Sequence, residues 1–318
     1  MRICRFLSRF LALPLASALL IIACQERSLE PQRPLDAGCR LQQHALGEVC
    51  VPKAPQAIIS LDETTFADAI ALDLLPVGTA TYGEGALSYL RDYRAQTELL
   101  GLSEQPNLEK MLPLNPDVII GQDYIGESIF GQLSQIAPTA LGKWEGYSAW
   151  RKYFDFVARI VDREDKAKTV WADYTRHIDS FKSVMPPHLA NQIVTSLYVY
   201  SGAMTMDTEA SFAGSILADI GLRQSNFGSP DDPNESRVSL SEETLPNLDA
   251  DILFINVYDA ESEALLAEWE RKPLWQQLKA VKASQVYLVD ANIWRAGNPI
   301  AAHLVIDDLF RLLLQQSP

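Results

Sequence analysis

The stretch that separates the two halves of this chain reads SAWRKYFDFV ARIVDREDKA KTVWADYTRH IDSFKSV and spans residues 148–184. It contains neither glycine nor proline, and apolar residues recur in it at helical spacing between Trp150 and Phe181. Two consecutive prolines at 186–187 end the pattern. We therefore predict one long helix here, or two helices with a break near residues 162–165.

Short apolar runs alternate with helical segments on both sides of this stretch. The predicted strands are 56–61, 76–80, 116–121 and 138–141 before it, and 193–200, 251–257 and 286–289 after it. The predicted helices are 64–75, 107–112, 127–136, 211–220, 241–248, 261–278 and 301–314. Uninterrupted apolar strands are typical of parallel sheets that helices cover on both faces. The fold class that we predict is α/β, with two Rossmann-like lobes joined by one long backbone helix.

An internal repeat supports two related lobes. The segment from Glu109 to Asp117 and the segment from Glu243 to Asp251 each place a glutamate eight residues before an aspartate, with a leucine at the same position between them. A buried strand follows in each case. A helix–turn–strand unit can produce such a match by itself, but the position of the two copies on either side of the long helical stretch favours a duplicated lobe.

The first residues predict export and a lipid anchor. Three arginines precede an apolar run at 11–23 that is too short to span a bilayer, which is typical of a signal peptide. The run ends in Ile21-Ile22-Ala23-Cys24, which resembles the lipobox of bacterial lipoproteins and implies acylation of Cys24. A plain secreted protein is the alternative. Gln25 does not indicate which membrane is the destination, so we expect the periplasm or the cell surface.

Two further cysteines, Cys39 and Cys50, follow a polar, proline-bearing segment at 25–38 that suits a flexible tether. In an oxidising compartment they predict a disulfide that closes a small loop. Free thiols or a metal site are the alternatives, and a metal site would need more soft ligands than His44 supplies.

The formal net charge is −14, and the leader contributes only positive charge. An acidic chain without a basic cluster is a poor candidate for binding nucleic acid or anionic lipid surfaces. No segment after the leader approaches a transmembrane length.

From residue 39 to 316 the sequence resembles the periplasmic binding proteins of ABC importers for ferric siderophores, ferric citrate and cobalamin. The repeated glutamate-containing segment, the long helical stretch and the end of the chain from Val286 to Leu309 are the parts that resemble this family. The run from Cys39 to Leu61 is similar to a subgroup of siderophore-binding lipoproteins. Ala57 departs from the family, in which arginine often precedes the first strand.

The resemblance implies a partner and a docking surface. In this family one glutamate on each lobe meets arginines of the permease, and the matching positions here are Glu109 and Glu243, with Glu242 as an alternative to the second. Fixed, exposed carboxylates can steer and orient such docking, although an acidic residue at a helix start also needs no partner to be favourable. The implied partners are the ABC permease and its ATPase, and we expect a monomer.

A chelate of this class needs a wide cleft between the lobes with aromatic and a few polar side chains. Loops after the carboxyl ends of parallel strands should supply them. The candidates are Asp62, Tyr82, Asp123, Tyr124, Trp144 and Tyr147 in the first lobe, Tyr200, Met204, Tyr258, Trp294 and Arg295 in the second, with Arg223 and Arg237 as weaker choices. Trp294 and Arg295 form the preferred pair, because an indole can pack on the chelate while a guanidinium binds its oxygens.

The candidate cleft is poor in cations, which favours a hydroxamate or citrate–hydroxamate chelate over a triscatecholate. Cobalamin and haem are the alternative cargoes. We expect no resident cofactor, because the iron enters within the ligand.

Two other classes of function receive less support. Direct binding of a metal ion would need converging ligands, and the four histidines, His44, His177, His188 and His303, are scattered along the sequence. A hydrolase would need a nucleophile in a recognisable context, and the chain has no G-x-S-x-G, H-E-x-x-H or P-loop motif. We therefore predict a binding protein and not an enzyme.

These expectations divide the chain into a signal peptide (1–23), a lipid-anchored tether with the disulfide loop (24–50), an N-terminal α/β lobe (51–147), the linking helix (148–185) and a C-terminal α/β lobe (186–318).

Overall fold

Strands and helices alternate along the chain, and each half builds its own sheet. The computed structural model describes residues 38–83, 87–200, 203–227, 235–248 and 250–314, so the leader, Cys24 and the tether through residue 37 lie outside the described residues. The first half contains β1 (Cys39–His44), β2 (Gly47–Pro52), β3 (Ile58–Ser60), α1 (Glu63–Ala71), β4 (Gly78–Thr81), α2 (Arg91–Arg94), β5 (Glu98–Leu102), β6 (Gln105–Pro106), α3 (Leu108–Met111), β7 (Val118–Gln122), α4 (Asp123–Gly126), α5 (Phe130–Ile136) and β8 (Thr139–Gly142).

Two helices, α6 (Trp150–Ile160) and α7 (Glu164–Val184), link the halves. The second half contains β9 (Ile193–Tyr200), β10 (Ala203–Asp207), α8 (Phe212–Ile220), β11 (Arg223–Gln224), β12 (Arg237–Leu240), β13 (Ile252–Val257), α9 (Ala260–Glu270), α10 (Lys279–Lys282), β14 (Val286–Asp290), α11 (Ala291–Trp294) and α12 (Pro299–Leu309). The predicted α/β class with parallel sheets and a long helix is confirmed.

The first sheet has the strand order β6-β5-β4-β3-β7-β8, and its neighbouring strands are parallel except for β5 and β6. Every residue of β3, β7 and β8 is buried, as expected for strands that helices cover on both faces. From β3 the chain adds β4 and β5 on one side, then β7 and β8 on the other. The order therefore reverses between β3 and β7, the place where open α/β sheets bind ligands.

The second sheet has the order β12-β10-β9-β13-β14, with β11 also paired to β9. Strands β9, β13 and β14 are parallel, whereas β10 and β12 are antiparallel additions. The sequence predicts the three parallel strands and misses β10 and β12. These two strands are short and partly exposed, so they lack the continuous apolar run by which a buried strand is recognised.

One aspartate in each copy of the internal repeat connects two neighbouring strands. Asp117 Oδ2 accepts hydrogen bonds from the backbone N–H groups of Gln56 and Ala57, both at 2.9 Å, just before β3. Asp251 Oδ2 accepts the backbone N–H of Ile193, the first residue of β9, at 2.8 Å. Because these bonds use backbone N–H groups, they anchor the segment before β3 without a contribution from the Ala57 side chain.

Strands β1 and β2 form an antiparallel hairpin that the predicted Cys39–Cys50 disulfide closes. The hairpin lies against the edge strand β8, where the N–H of Ala45 donates to the carbonyl oxygen of Leu141 at 2.8 Å. The guanidinium of Arg40 donates to the last two carbonyl oxygens of α6, at 3.1 and 2.9 Å. The hairpin therefore covers a sheet edge and satisfies acceptors at a helix end.

The linking segment follows the second of the two predicted alternatives, because it contains two helices. Between α6 and α7, Asp162 adopts a left-handed backbone conformation with φ of 61°, which aspartate tolerates better than most residues. Its carboxylate pairs with Arg40 of the hairpin at 3.5 Å. Helix α7 contains 21 residues and supplies the predicted long helix.

Two tryptophans of the linking helices connect the hydrophobic cores of the lobes. Helix α6 packs on the first sheet, yet Trp150 at its start is buried in the core of the second lobe. Trp171 of α7 packs against both cores, and its ring lies 5.4 Å from that of Trp150 and 5.2 Å from that of Phe154. The linking helices therefore belong to both cores.

Several predicted helices are shorter than expected or depart from regular α-helical winding. The segment predicted at 241–248 is a 3₁₀ helix, Glu242–Leu248, that contains Pro246, and proline cannot donate the backbone hydrogen bond that an α-helix needs. The last helix ends at Leu309 and continues as a π-helical turn, Phe310–Leu314. In the described part of the chain, no helix combines the length and the apolar character that a membrane span requires.

Asp68 of α1 predicts how stability changes with pH. It is fully buried, and neither carboxylate oxygen has a hydrogen-bond partner among the described residues. Burial, with smaller contributions from Asp62 and Asp155, raises its pKa well above the ordinary value. The folded state therefore holds this proton at a pH where the unfolded chain has lost it. The resulting stabilisation is complete below the unfolded pKa and is lost as the pH rises toward the folded pKa.

We expect Asp68→Asn to make the free energy of unfolding less sensitive to pH. In the wild type, this one group should lower the free energy of unfolding by about 1.4 kcal/mol for each pH unit between its unfolded and folded pKa values. Urea unfolding at several pH values measures the slope, and Asp92→Asn, which removes an exposed carboxylate of α2, is the matched control. Equal slopes for wild type and Asp68→Asn would contradict the assignment of this pH dependence to Asp68.

Candidate functional site

Loops at the carboxyl ends of strands from both sheets line one cleft of about 300 Å³. They follow β3, β4, β7 and β8 in the first lobe and β9, β13 and β14 in the second. We call the lining residues that precede α6 the first wall and those that follow α7 the second wall. A cleft at the carboxyl ends of parallel strands is the expected place for a ligand.

Aromatic side chains dominate both walls. The aromatic lining residues are Tyr82, Tyr89, Tyr124, Trp144, Tyr147, Tyr198, Tyr200 and Tyr258. Tyrosine and tryptophan offer a large flat face together with a polar group. The cleft can therefore pack against a bulky ligand and also donate hydrogen bonds to its oxygen atoms.

Hydrogen bonds order the first wall. The hydroxyl groups of Tyr82 and Tyr124 are bonded to each other, and Tyr82 also donates to Gln122 Oε1 at 3.3 Å. Burial raises the pKa of both tyrosines, so both stay neutral at physiological pH. Asp123 Oδ1 accepts the N–H groups of Tyr124 and Trp144, at 3.0 and 3.1 Å, and so holds together the loops that follow β7 and β8. Asp123 itself is not a lining residue.

Arg295 is the cation of the second wall. Its Nη1 donates to Asp207 Oδ1 at 2.6 Å, and the two side chains are only 12% and 1% exposed. The guanidinium carbon lies 4.0 Å from the ring centroid of Tyr198, and the Tyr198 ring stacks on that of Tyr200 at 5.7 Å. Burial also raises the pKa of Tyr198 to about 12. Asp207 and the tyrosines therefore fix the orientation of Arg295 and offset its charge.

Apart from Tyr147, the structure places six of the eleven main candidate residues on the cleft. They are Tyr82, Tyr124, Trp144, Tyr200, Tyr258 and Arg295. Tyr147, which the sequence grouped with Trp144, also lines it. The weaker candidates Arg223 and Arg237 lie at exposed positions outside the lining.

Trp294 does not reach the cleft, contrary to its choice as half of the preferred pair. It is fully buried, its ring lies 4.7 Å from that of Phe254, and its Nε1 donates to Asp308 Oδ2 at 2.9 Å. Consecutive residues at the end of a helix point in different directions. Trp294 therefore faces the core while Arg295 faces the cleft.

Met204 and Asp62 are also buried away from the cleft. Met204 alternates inward on β10 and packs in the core of the second lobe. Asp62 is the N-cap of α1, where its carboxylate accepts the N–H and hydroxyl of Thr65 at 2.8 and 2.9 Å and the N–H of Gln122 at 3.2 Å. Burial raises its pKa to about 6. Met204 and Asp62 therefore support the structure around the cleft and do not line it.

Sequence reasoning missed several lining residues, which are Glu63, Tyr89, Gln122, Tyr198 and Asn292. Tyr198 could have been found, because it lies two residues before Tyr200 and therefore on the same face of the strand. Glu63 directly follows the candidate Asp62. Tyr89 gives no signal in the sequence, because its position depends on a bond from Asn298 Nδ2 of the second lobe to its hydroxyl at 2.8 Å.

The candidate docking glutamates differ in their surroundings. Glu109 and Glu243 are exposed, and neither carboxylate has an ion-pair or hydrogen-bond partner in the described ranges. Glu242 Oε2 instead pairs with Lys272 Nζ at 2.8 Å. This geometry favours Glu243 over Glu242 as the carboxylate that is available to a partner.

The structure brings two of the scattered histidines together without forming a metal site. Nδ1 of His177 lies 2.8 Å from Nδ1 of His303, between α7 and α12. Asp307 contacts the opposite nitrogen of His177 at 3.1 Å, so the three groups do not converge on one point. Within the described residues, no group of three or more His, Cys, Asp or Glu side chains could hold a metal ion.

Comparison with known proteins gives consistent results. Residues 58–293 match the model of a family described as periplasmic binding proteins. A probable siderophore-binding lipoprotein of Bacillus subtilis (YfiY) is 31% identical over 85% of this chain and 86% of its own length. The Fe(3+)-citrate-binding protein YfmC of the same organism is 30% identical over 78% of this chain and 77% of its own. The crystal structure of Staphylococcus aureus SirA complexed with staphyloferrin B superimposes with a TM-score of 0.75 at 24% identity, covering 86% of this chain and 98% of that one.

The Arg295–Asp207 pair generates a prediction about stability. Asp207→Ala should destabilise the protein by about 3–5 kcal/mol, because it leaves the buried charge of Arg295 without its partner. The double variant Asp207→Ala/Arg295→Met should recover part of this loss.

Urea unfolding measures both variants. The control is Asp219→Ala, which removes the partner of Arg151 in a more exposed ion pair and should cost about 0–1 kcal/mol. If Asp207→Ala cost no more than Asp219→Ala, the second wall would not depend on this pair.

Proposed function

The chain belongs to the periplasmic binding protein family, and we propose that it captures a ferric siderophore of the hydroxamate or citrate–hydroxamate type in its cleft and delivers it to the permease of an ABC importer. The family resemblance inferred from the sequence is thereby confirmed. So is the expectation of a binding protein and not an enzyme.

The observation that carries the proposal is the chemistry of the cleft. Its described walls combine eight aromatic side chains with Arg295, the one cation among the lining residues. A ferric hydroxamate is bulky, partly apolar and rich in oxygen acceptors, which suits tyrosine faces and hydroxyl donors. A triscatecholate complex has a large negative charge and would need several cations, whereas Arg295 is already paired with Asp207. The names of the relatives YfiY, a probable siderophore-binding lipoprotein, and YfmC, an Fe(3+)-citrate-binding protein, support a ferric chelate as the cargo.

Delivery of the chelate requires that the protein be held near its permease and that it present a surface on which the permease can dock. We propose that acylation of Cys24 holds the protein at a membrane, in the periplasm or on the cell surface, where it acts as a monomer. A tether raises the effective concentration of the carrier near its permease. The exposed Glu109 and Glu243 would then bind basic residues of the permease, whose ATPase drives import.

Fluorescence quenching tests the cargo. A ferric hydroxamate or citrate–hydroxamate should quench the tryptophan emission of the purified protein with a dissociation constant below about 1 μM. The quenching should fall in Trp144→Phe and persist in Trp269→Phe, because Trp144 lines the cleft whereas Trp269 lies in the core of the second lobe. Iron-free siderophore is the ligand control. No response to any ferric chelate, together with a response to cobalamin or haem, would overturn the proposal.

Transport by cells tests the docking surface separately from binding. Glu109→Ala/Glu243→Ala should lower uptake of the radiolabelled ferric chelate by about tenfold or more, which corresponds to about 1.4 kcal/mol of lost docking energy, and leave its affinity for the purified protein unchanged. Glu164→Ala/Glu270→Ala, two exposed carboxylates elsewhere on the surface, should leave both unchanged. Equal uptake with the two double variants would rule out docking through Glu109 and Glu243.

A further inference from the structure

We propose that Glu63 is a charge selector of the cleft, which admits chelates with negative charge while it is protonated and disfavours them once it is ionised. This inference rests on the proposed function, because it names the charge class of the same cargo. Glu63 lines the cleft, so its charge is part of the surface that a ligand would contact.

Glu63 is the first residue of α1 and belongs to the first wall. Its Oε1 accepts the backbone N–H of Tyr82, which follows β4. This contact holds the carboxyl group at the lining of the cleft. A ligand in the cleft can therefore meet Glu63 as a donor when it is protonated or as a negative charge when it is not.

The surroundings of Glu63 oppose ionisation. A helix N-terminus ordinarily favours a carboxylate, but burial, with a smaller contribution from the neighbouring Asp62, raises the pKa of Glu63 to about 8 against the lowering effect of the Tyr82 N–H. The other titratable groups that interact with it are tyrosines, namely Tyr82, Tyr89 and Tyr124 of the same wall and Tyr258 of the second wall, and each has a raised pKa. Glu63 is therefore the lining group, among those described, whose charge changes close to neutral pH.

The remaining charges of the lining leave this change uncompensated. Arg295 is paired with Asp207 behind the second wall, so their charges largely offset each other. Asp62 is fully buried behind the first wall, and with a pKa that burial raises to about 6 it is ionised around pH 8, so it adds a constant negative charge and does not offset that of Glu63. Protonation of Glu63 therefore changes the charge of the described lining by one unit near pH 8.

Binding and protonation of Glu63 must then be linked in both directions. An anionic chelate favours the protonated form, so its binding should take up protons near the pKa of Glu63. A cationic chelate should release protons under the same conditions, and a neutral chelate should do neither.

The first arm of the test needs no ligand. Carboxyl-labelled glutamate in the wild-type protein should give one ¹³C resonance that titrates with a midpoint near 8 and that Glu63→Gln removes. Glu127→Gln, which changes an exposed carboxylate, should leave that resonance in place. A Glu63 resonance with the midpoint of an ordinary glutamate, about 4.3, would overturn the inference whatever the cargo is.

The second arm compares three ferric chelates between about pH 6.5 and pH 9, which bracket the Glu63 midpoint. The probes are ferrioxamine B with its pendant ammonium group, its neutral N-acetyl derivative, and anionic ferric citrate. Over this range the affinity of the ammonium-bearing chelate relative to the neutral one should rise about 5- to 10-fold, and that of ferric citrate should fall by a similar factor. Both ratios should stay constant in Glu63→Gln.

The two arms separate the possible failures. Equal pH dependence in wild type and Glu63→Gln would overturn the charge selector and leave the cargo proposal intact. If none of the ferric chelates bound either protein at any pH, the proposed function would fail, and with it the selection of a ferric cargo. The titration of Glu63 in the first arm would still show whether the cleft changes its charge near pH 8.

Discussion

The packing of Trp150 and Trp171 between two hydrophobic cores is the constraint on which the cleft depends. Each sheet presents the carboxyl ends of its strands, but a site forms only if the two sets of loops face each other at a fixed separation. The tryptophan contacts make α6 and α7 part of both cores. Further bonds cross between the lobes, from Thr64 to the carbonyl of Ala296 and from Asn298 to Tyr89.

The chemistry of the cleft follows from what these contacts bring together. Tyrosines from both lobes create a surface that is apolar on its faces and polar at its hydroxyl groups. The one cation described on the lining is neutralised by a buried aspartate, and the one carboxylic acid, Glu63, is held where ionisation is unfavourable. Such a cleft fits the proposed cargo, a large chelate of low charge, and the proposed role of Glu63 in selecting the charge of that cargo.

The sequence predicts the parts of the fold that depend on local pattern. Continuous apolar strands, the glycine-free linker and the repeated glutamate segments identify the two lobes, and Cys39 and Cys50 identify the hairpin. The short strands β10 and β12 could not be predicted, because polar residues interrupt their apolar ones and no continuous apolar run results. For the candidate site, Trp294 and Arg295 show what the sequence alone could not predict. They are adjacent in sequence and equally suited to bind a chelate, yet the end of a helix turns one into the core and the other into the cleft. Burial, which also sets the pKa of Glu63, arises only from tertiary packing.

The most direct test of the account is to locate iron in crystals of the protein grown with a ferric hydroxamate or citrate–hydroxamate, by anomalous scattering at the iron absorption edge. The account predicts a single iron between the two walls, surrounded by chelate oxygens that contact Tyr124, Tyr258 and Arg295, with no protein atom bound to the metal. An iron ion bound directly by His177 and His303, or a chelate found outside the cleft, would contradict it.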